Sequence, residues 1–213
     1  MRISVIGATG MVGSRLVTEA TTRGHHVIAA ARTPRPSTAA GIVSVAVDAN
    51  EPQTLTPLFD GVDAVFLAVR PGAGREHTLA ALTTTVLDAA RTAGAPVVVI
   101  GGAGPLASPN APGLRVVDDP AYVPAQWRTI AAASLAQLRA CRDHPGVAWT
   151  YLSPPALLEP GERTGRYRRG TTTLLTDADG TSRISAEDLA VAAVDELERP
   201  GTDRHFTVAQ APA

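Results

Sequence analysis

Ile3-Ser4-Val5-Ile6-Gly7-Ala8-Thr9-Gly10-Met11-Val12-Gly13 opens the chain almost at its first residue. An apolar run leads into three glycines spaced by three, and the spacing predicts a buried strand, a tight turn and a helix over 11–23. Each glycine has its own reason. Gly7 permits the turn, Gly10 has no Cβ and lets the backbone approach a pyrophosphate, and Gly13 lets the helix lie close to the strand. The helix start then offers free N–H groups and a partial positive charge to phosphates. Thr9, Met11 and Val12 belong to the same cradle. A glycine triplet alone is weak evidence; a strand before it and a helix after it meet the context that a dinucleotide fingerprint requires.

Outward from this stretch, strand-like and helix-like segments alternate. Further strands are predicted at 27–31, 42–47, 64–69, 97–100, 148–152 and 206–209. Helices are predicted at 53–59, 76–93 and 124–142. Short, continuously apolar strands between helices imply a parallel sheet covered on both faces. After residue 153, Pro154, Pro155, Pro160 and Gly161 interrupt regular structure. A polar β-like stretch is expected over 164–175, with a hairpin turn at Asp177-Ala178-Asp179-Gly180. Ser185 before Ala186-Glu187-Asp188 reads as the N-cap of a helix running to Glu198. The expected fold is α/β, a Rossmann-type doubly wound parallel sheet with a small C-terminal substrate subdomain. Residues 1–213 form a single domain in this reading, with 153–183 and 200–213 making the subdomain.

Composition narrows the chemistry. The 213 residues contain 19 basic side chains, all arginine, so a catalytic lysine is excluded. The net charge is −1 without a long single-sign run, which points away from nucleic acid and membrane surfaces. Cys141 is the only cysteine, so no intrachain disulfide forms. No signal peptide is expected, since residue 7 is already in the glycine turn; no apolar run suffices to span a bilayer, and no His, Cys and carboxylate group has metal-ligand spacing. The expectation is a cytoplasmic monomer or homodimer acting on a small molecule, with no metal.

The end of the second strand should approach the adenosine ribose, where an Asp or Glu would favour NAD(H). The chain has Ala31-Arg32-Thr33-Pro34-Arg35 there. Arg32 could stack on adenine and pair with a 2′-phosphate, so NADP(H) is preferred over NAD(H); a solvated loop arginine is the alternative. Asp48, followed by Ala49, could accept from the adenine amino group or cap a helix or turn. Ala68 and Val69 end the fourth strand beside the expected ribose and nicotinamide. Gly101, Gly102 and Ala103 end the fifth strand and would let the backbone come close on the nicotinamide side. Pro154 and Ala156 follow the sixth and could meet the carboxamide.

Together these segments resemble the NAD(P)H-binding atypical short-chain dehydrogenases/reductases, specifically the NmrA-like and biliverdin-reductase-B-like grouping. The resemblance spans nearly the whole chain. It rests on 7–13, Gly101-Gly102-Ala103-Gly104-Pro105-Leu106, Trp149-Thr150-Tyr151-Leu152-Ser153-Pro154, Gly161-Glu162-Arg163-Thr164-Gly165-Arg166-Tyr167-Arg168 and Arg183-Ile184-Ser185-Ala186-Glu187-Asp188-Leu189-Ala190. It implies a Rossmann fold and a bound nicotinamide cofactor.

The chain departs from the family where catalysis is concerned. Catalytic relatives use serine, tyrosine and lysine; here Tyr122-Val123-Pro124-Ala125-Gln126 has glutamine in the lysine place. Glutamine supplies no charge to depress a phenol pKa of about 10. Pro105 stands where small relatives often carry serine, and Ser108 could substitute only if its loop folds back. Tyr122 is the candidate proton donor, or else an aromatic side chain lining its loop. His77 could orient substrate or face solvent, and Arg166, Arg168 and Arg169 could greet an anion or form a solvated face. The leading expectation is an NADP(H)-dependent oxidoreductase passing hydride between nicotinamide and a small organic or flavin-like substrate. A non-catalytic NmrA-like redox sensor and an epimerase or isomerase using the cofactor transiently are the alternatives.

Overall fold

The computed structural model describes residues 1–212. Strands β1 (Arg2–Ile6), β2 (His26–Ala31), β3 (Ile42–Ala46), β4 (Ala64–Leu67), β5 (Val97–Ile100) and β6 (Trp149–Ser153) alternate with helices α1 (Met11–Thr22), α2 (Pro52–Phe59), α3 (Leu79–Ala93) and α4 (Arg128–Asp143). Then come β7 (Leu157–Glu159), β8 (Tyr167–Gly170), β9 (Arg183–Ser185), α5 (Ala186–Glu198) and β10 (His205–Gln210). The main sheet has the order β3-β2-β1-β4-β5-β6-β10-β8, parallel except for β8. The winding reverses between β1 and β4, and a doubly wound sheet opens its ligand crevice over strand ends at that switch.

Alternation along the strands sends side chains to two cores. Ile3, Val5, Val27, Ala29, Val98, Ile100, Phe206 and Val208 pack with Leu16 and Ala20 of α1 and Leu189 and Ala193 of α5. Ile28, Ala30, Val97, Val99 and Tyr151 pack on the other face with Leu55 of α2, Val86 of α3 and Leu138 of α4. The chain is thus an α/β Rossmann-type layered fold, as its periodicity predicts. Among the described residues, no helix is long and apolar enough to cross a membrane.

Several expected boundaries shift. The helices expected from 76 and 124 begin with 3-10 turns at Glu76–Thr78 and Ala125–Trp127. Strand β4 stops at Leu67 because its partner β1 ends at Ile6, where the glycine turn begins. The turn at Asp177 exists, closed by Gly180 N–H donating to Asp177 O at 3.0 Å, but it is not a hairpin. Strand β8 pairs with β10, and β9 pairs in parallel with β7. Residues 172–174 are claimed elsewhere: Ala107 N–H donates to Thr172 O at 2.8 Å and Leu174 N–H to Ala107 O at 3.0 Å.

The described residues of the segments 153–183 and 200–213 therefore do not form one separate body. Strands β8 and β10 extend the main sheet, since Phe206 and Val208 are fully buried under the α1–α5 layer; only β7 and β9 form a small second sheet. Ala213, the last residue of the second segment, lies outside the described residues.

Candidate functional site

At the end of β1, Gly7 turns with φ +90°, and the N–H groups of Gly7 and Ala8 both donate to Ala30 O, at 2.9 and 3.0 Å. That docks the glycine turn on β2. A Cβ on Gly7 would strike Ala68 O, and one on Gly13 would strike Gly7 O, so these two glycines allow β4 and α1 to close on the turn. Gly10 differs. It is exposed, stands at the N-cap of α1, and leaves that helix without a side-chain cap. The leading amides of α1 are thereby left for an acceptor from outside the helix.

Over this turn lies a cleft of about 330 Å³. It gathers Gly7, Thr9, Gly10, Arg32, Asp48, Ala49, Ala68 and Val69, eight of the expected residues. Sequence reasoning missed Asn50, Arg70, Arg75, Thr78 and Leu82, which also line it. The signal for Arg70 and Arg75 was their place in the loop after β4, on the ligand side of a parallel sheet. Three arginines, Arg32, Arg70 and Arg75, thus face one carboxylate, Asp48. Asn50 donates to Asp48 Oδ1 from its backbone at 3.0 Å and from Nδ2 at 2.7 Å. These bonds, with Arg32 and Arg75 nearby, hold the Asp48 carboxyl below the usual carboxylate range. A larger opening of about 510 Å³ lies at the opposite strand ends, beside β3 and α2. Arg2 and His26 are its only titratable lining groups, and the glycine turn is not part of it.

The remaining expected residues lie outside the cleft lining. Met11 is an exposed residue at the start of α1, and Val12 packs against the α1–α5 core. Gly101 and Gly102 have a different cause from the one expected. A Cβ on Gly101 would fall inside the Tyr151 ring, and one on Gly102 would come 2.9 Å from Ser134 Cβ. Tyr151 is completely buried, its hydroxyl 2.9 Å from Ser134 O as donor and 3.4 Å from the Gly102 N–H as acceptor. Burial pushes its phenol far up, and the side chain is not part of the cleft lining. Pro154 is buried at the end of β6.

Ala103, Ala156 and Tyr122 meet instead around a small apolar cluster of Leu106, Val116, Val123 and Leu174. The half-buried Tyr122 hydroxyl accepts from Asn110 Nδ2 at 2.9 Å. Ser108 is not available to a substrate: its hydroxyl donates to Asp119 Oδ2 at 2.6 Å in a buried pair that ties the loop. Gln126 and His77 are both exposed.

The arginine cluster near the C-terminus is structural. Arg168 pairs with Asp177 at 2.7 Å, Arg169 pairs with Glu196 at 2.5 Å and stacks on Phe206, and Arg166 donates to Pro212 O at 3.2 Å. Two motifs distant in sequence also meet here. Asp188 accepts from Thr164 Oγ1 at 2.6 Å and Gly165 N–H at 2.8 Å, while Glu187 accepts from Gly161 N–H at 2.7 Å. Ser185 caps α5 as expected, its hydroxyl accepting from Asp188 N–H at 3.0 Å.

A glycine turn at a helix start, at the switch point of a doubly wound parallel sheet, defines a Rossmann dinucleotide-binding protein. The profile of the NAD(P)H-binding family matches residues 7–200, and the chain belongs to that family. Bacillus subtilis YwnB, itself uncharacterized, is 35% identical over 98% of both chains. Two solved structures match the whole architecture. A candidate epimerase from Bacteroides thetaiotaomicron is 34% identical, with TM-score 0.89 over 100% of this chain and 98% of its own. A candidate NADH-flavin reductase from Streptococcus pneumoniae is 29% identical, with TM-score 0.83 over 99% of this chain and 100% of its own.

Proposed function

We propose that this protein is an oxidoreductase of the NmrA-like and biliverdin-reductase-B-like grouping that binds NADP(H) in preference to NAD(H) and reduces a small organic or flavin-like acceptor. The observation that carries the reading is the charge of the cleft, three arginines against one aspartate, over an uncapped helix start. A dinucleotide fits these residues: Gly10 keeps the turn open, and a Cβ there would already crowd Gly7 O at 3.2 Å. The α1 amides and the glycine turn hold the pyrophosphate, Arg32 pairs with the 2′-phosphate, and Asp48 accepts from the adenine amino group. Ala68 and Val69 line the ribose and nicotinamide side. When bound, the cofactor supplies or accepts the hydride.

On the acceptor side, Tyr122 is the proton donor. Its oxygen accepts from Asn110, which leaves the phenolic hydrogen free to donate. Without a lysine beside it, the same site suits conjugated acceptors that take their proton from solvent. The loop 105–125 and the segment 155–175 border the substrate, and the protein works in the cytoplasm, where reduced nicotinamide is regenerated. The exposed Gln126 at the lysine position favours the redox-sensor alternative, and the Bacteroides relative keeps the epimerase one.

Steady-state oxidation of NADPH with flavin, quinone and carbonyl acceptors separates these readings. The reductase reading expects turnover, with Tyr122→Phe lowering kcat at least about tenfold for carbonyls and little for flavins. Tight NADPH binding with no acceptor reduced would transfer the protein to the sensor class.

A further inference from the structure

Trp127 is the one exposed aromatic side chain among the described residues, 52% accessible at the start of α4. A single exposed indole needs no explanation by itself. Its surroundings do. The guanidinium of Arg70, which lines the dinucleotide cleft, lies over the Trp127 ring at 5.6 Å from its centroid. Arg70 has no carboxylate partner among the described residues. Four residues on, one helical turn from Trp127, Ala131 packs with Tyr122 against the Leu106–Val116–Leu174 cluster. Trp127 therefore bridges the rim of the cofactor cleft and the wall that carries the proton-donor candidate.

We propose that Trp127 and Arg70 form the acceptor subsite, with the indole as a stacking platform for a planar conjugated ring and Arg70 pairing an anionic group on the molecule that carries the ring. This deepens the reductase reading and rests on it for the direction in which the ring faces. An aromatic ring between indole and guanidinium needs about 7 Å, two stacking distances of roughly 3.5 Å. Arg70 is exposed and unpaired, so it withdraws the missing distance without breaking an ion pair. The subsite selects for planarity and negative charge, which an aliphatic ketone or a nucleotide sugar lacks in its reacting part.

The test uses flavin mononucleotide and riboflavin, which share the ring and differ in the phosphate. Each is titrated against the full-length protein, with and without NADP+, and quenching of flavin fluorescence is followed. The proposal expects saturable quenching, a dissociation constant at least tenfold weaker in Trp127→Ala, and recovery of most of it in Trp127→Phe. It also expects tighter binding of the mononucleotide than of riboflavin, a difference that closes in Arg70→Gln. Unchanged flavin affinity in Trp127→Ala, or no quenching by either flavin, overturns the subsite. NADPH affinity, measured on the same preparations, stays within twofold of the parent in Trp127→Ala. A parent that binds flavin but no NADPH would instead contradict the reductase reading and leave the stacking platform standing.

Discussion

A methyl group on residue 101 would land inside the Tyr151 ring, and Tyr151 cannot move aside, since it is fully buried and hydrogen-bonded to Ser134 O. Gly101→Ala should therefore cost about 1–3 kcal/mol through overpacking. In a chain of this size that lowers Tm by about 2–4 °C per kcal/mol. Calorimetry and an NADPH titration on the same sample check the cause. Lower Tm with cofactor affinity preserved is expected; unchanged Tm with weakened affinity would return Gly101 to the nicotinamide contact that its sequence position suggests. The difference between these readings shows how far single residues are readable. Gly7 and Gly13 can be assigned from sequence because their constraint comes from the adjoining strand and helix. Gly101 cannot, because the side chain that claims its space lies fifty residues later. Arg70 and Arg75 are harder to assign for another reason: a loop arginine has no periodicity, and its place after β4 is the one sequence signal that points these two toward the cleft.

At the scale of elements, α1, α5 and the stretch 161–165 are held together by buried acidic groups. Glu19 on α1, only 4% exposed, accepts from Arg163 Nε at 2.7 Å and pairs with Arg23 at 2.8 Å. The Arg163 hydrogen bond is the main cause that holds the Glu19 carboxyl below its ordinary value; burial opposes it, and Arg23 adds to the lowering. A folded-state pKa below the unfolded one means stability that is full above the unfolded value and lost as pH falls through the folded value. His205 acts in the same direction. Burial depresses its imidazole to about 4, so it stays neutral in the fold with its Nε2 hydrogen-bonded to Ser153 Oγ at 2.9 Å, and its contribution fades between about pH 6.5 and 4. Urea midpoints should therefore fall from pH 7 to pH 4. Glu19→Gln should lower the midpoint at pH 7 and flatten its decline below about pH 4.5. A slope unchanged by that substitution would remove Glu19 as a source of the acid lability. The elements themselves were largely readable, because β1, β2, β5, α1 and the Ser185 cap are signalled by local apolar runs and local hydrogen bonding. The pairings β7–β9 and β8–β10 were not, since their partners are separated by loops whose hydrogen bonds only the folded chain reveals.

For the whole molecule, the sheet order places the ends of β1, β2 and β4 around one crevice, and an uncapped helix and three arginines face it. A ligand that binds only the folded state stabilises it by about 2.7 kcal/mol at a hundredfold excess over its Kd. Saturating NADPH should thus raise Tm by several degrees, while Gly13→Val, which forces α1 away from Gly7 O, should abolish both the shift and much of the intrinsic stability. The fold class and eight of the residues that line the cleft were readable from residues 7–13 and the strand ends. The proposed acceptor subsite was not, because it would be assembled from α4, the loop after β4 and a cluster around Leu106 that no single segment announces.

The most direct measurement of the central claim is calorimetric titration of the protein with NADPH and with NADH, run for the parent and for Arg32→Ala. NADPH should bind more tightly to the parent. The substitution should weaken NADPH by about tenfold or more, the loss of a charge-assisted hydrogen bond of about 1.5–3 kcal/mol, and leave NADH within about twofold. Equal affinity for the two cofactors, unaffected by Arg32→Ala, would contradict the assignment of the 2′-phosphate. Failure to bind either one would contradict the dinucleotide site itself.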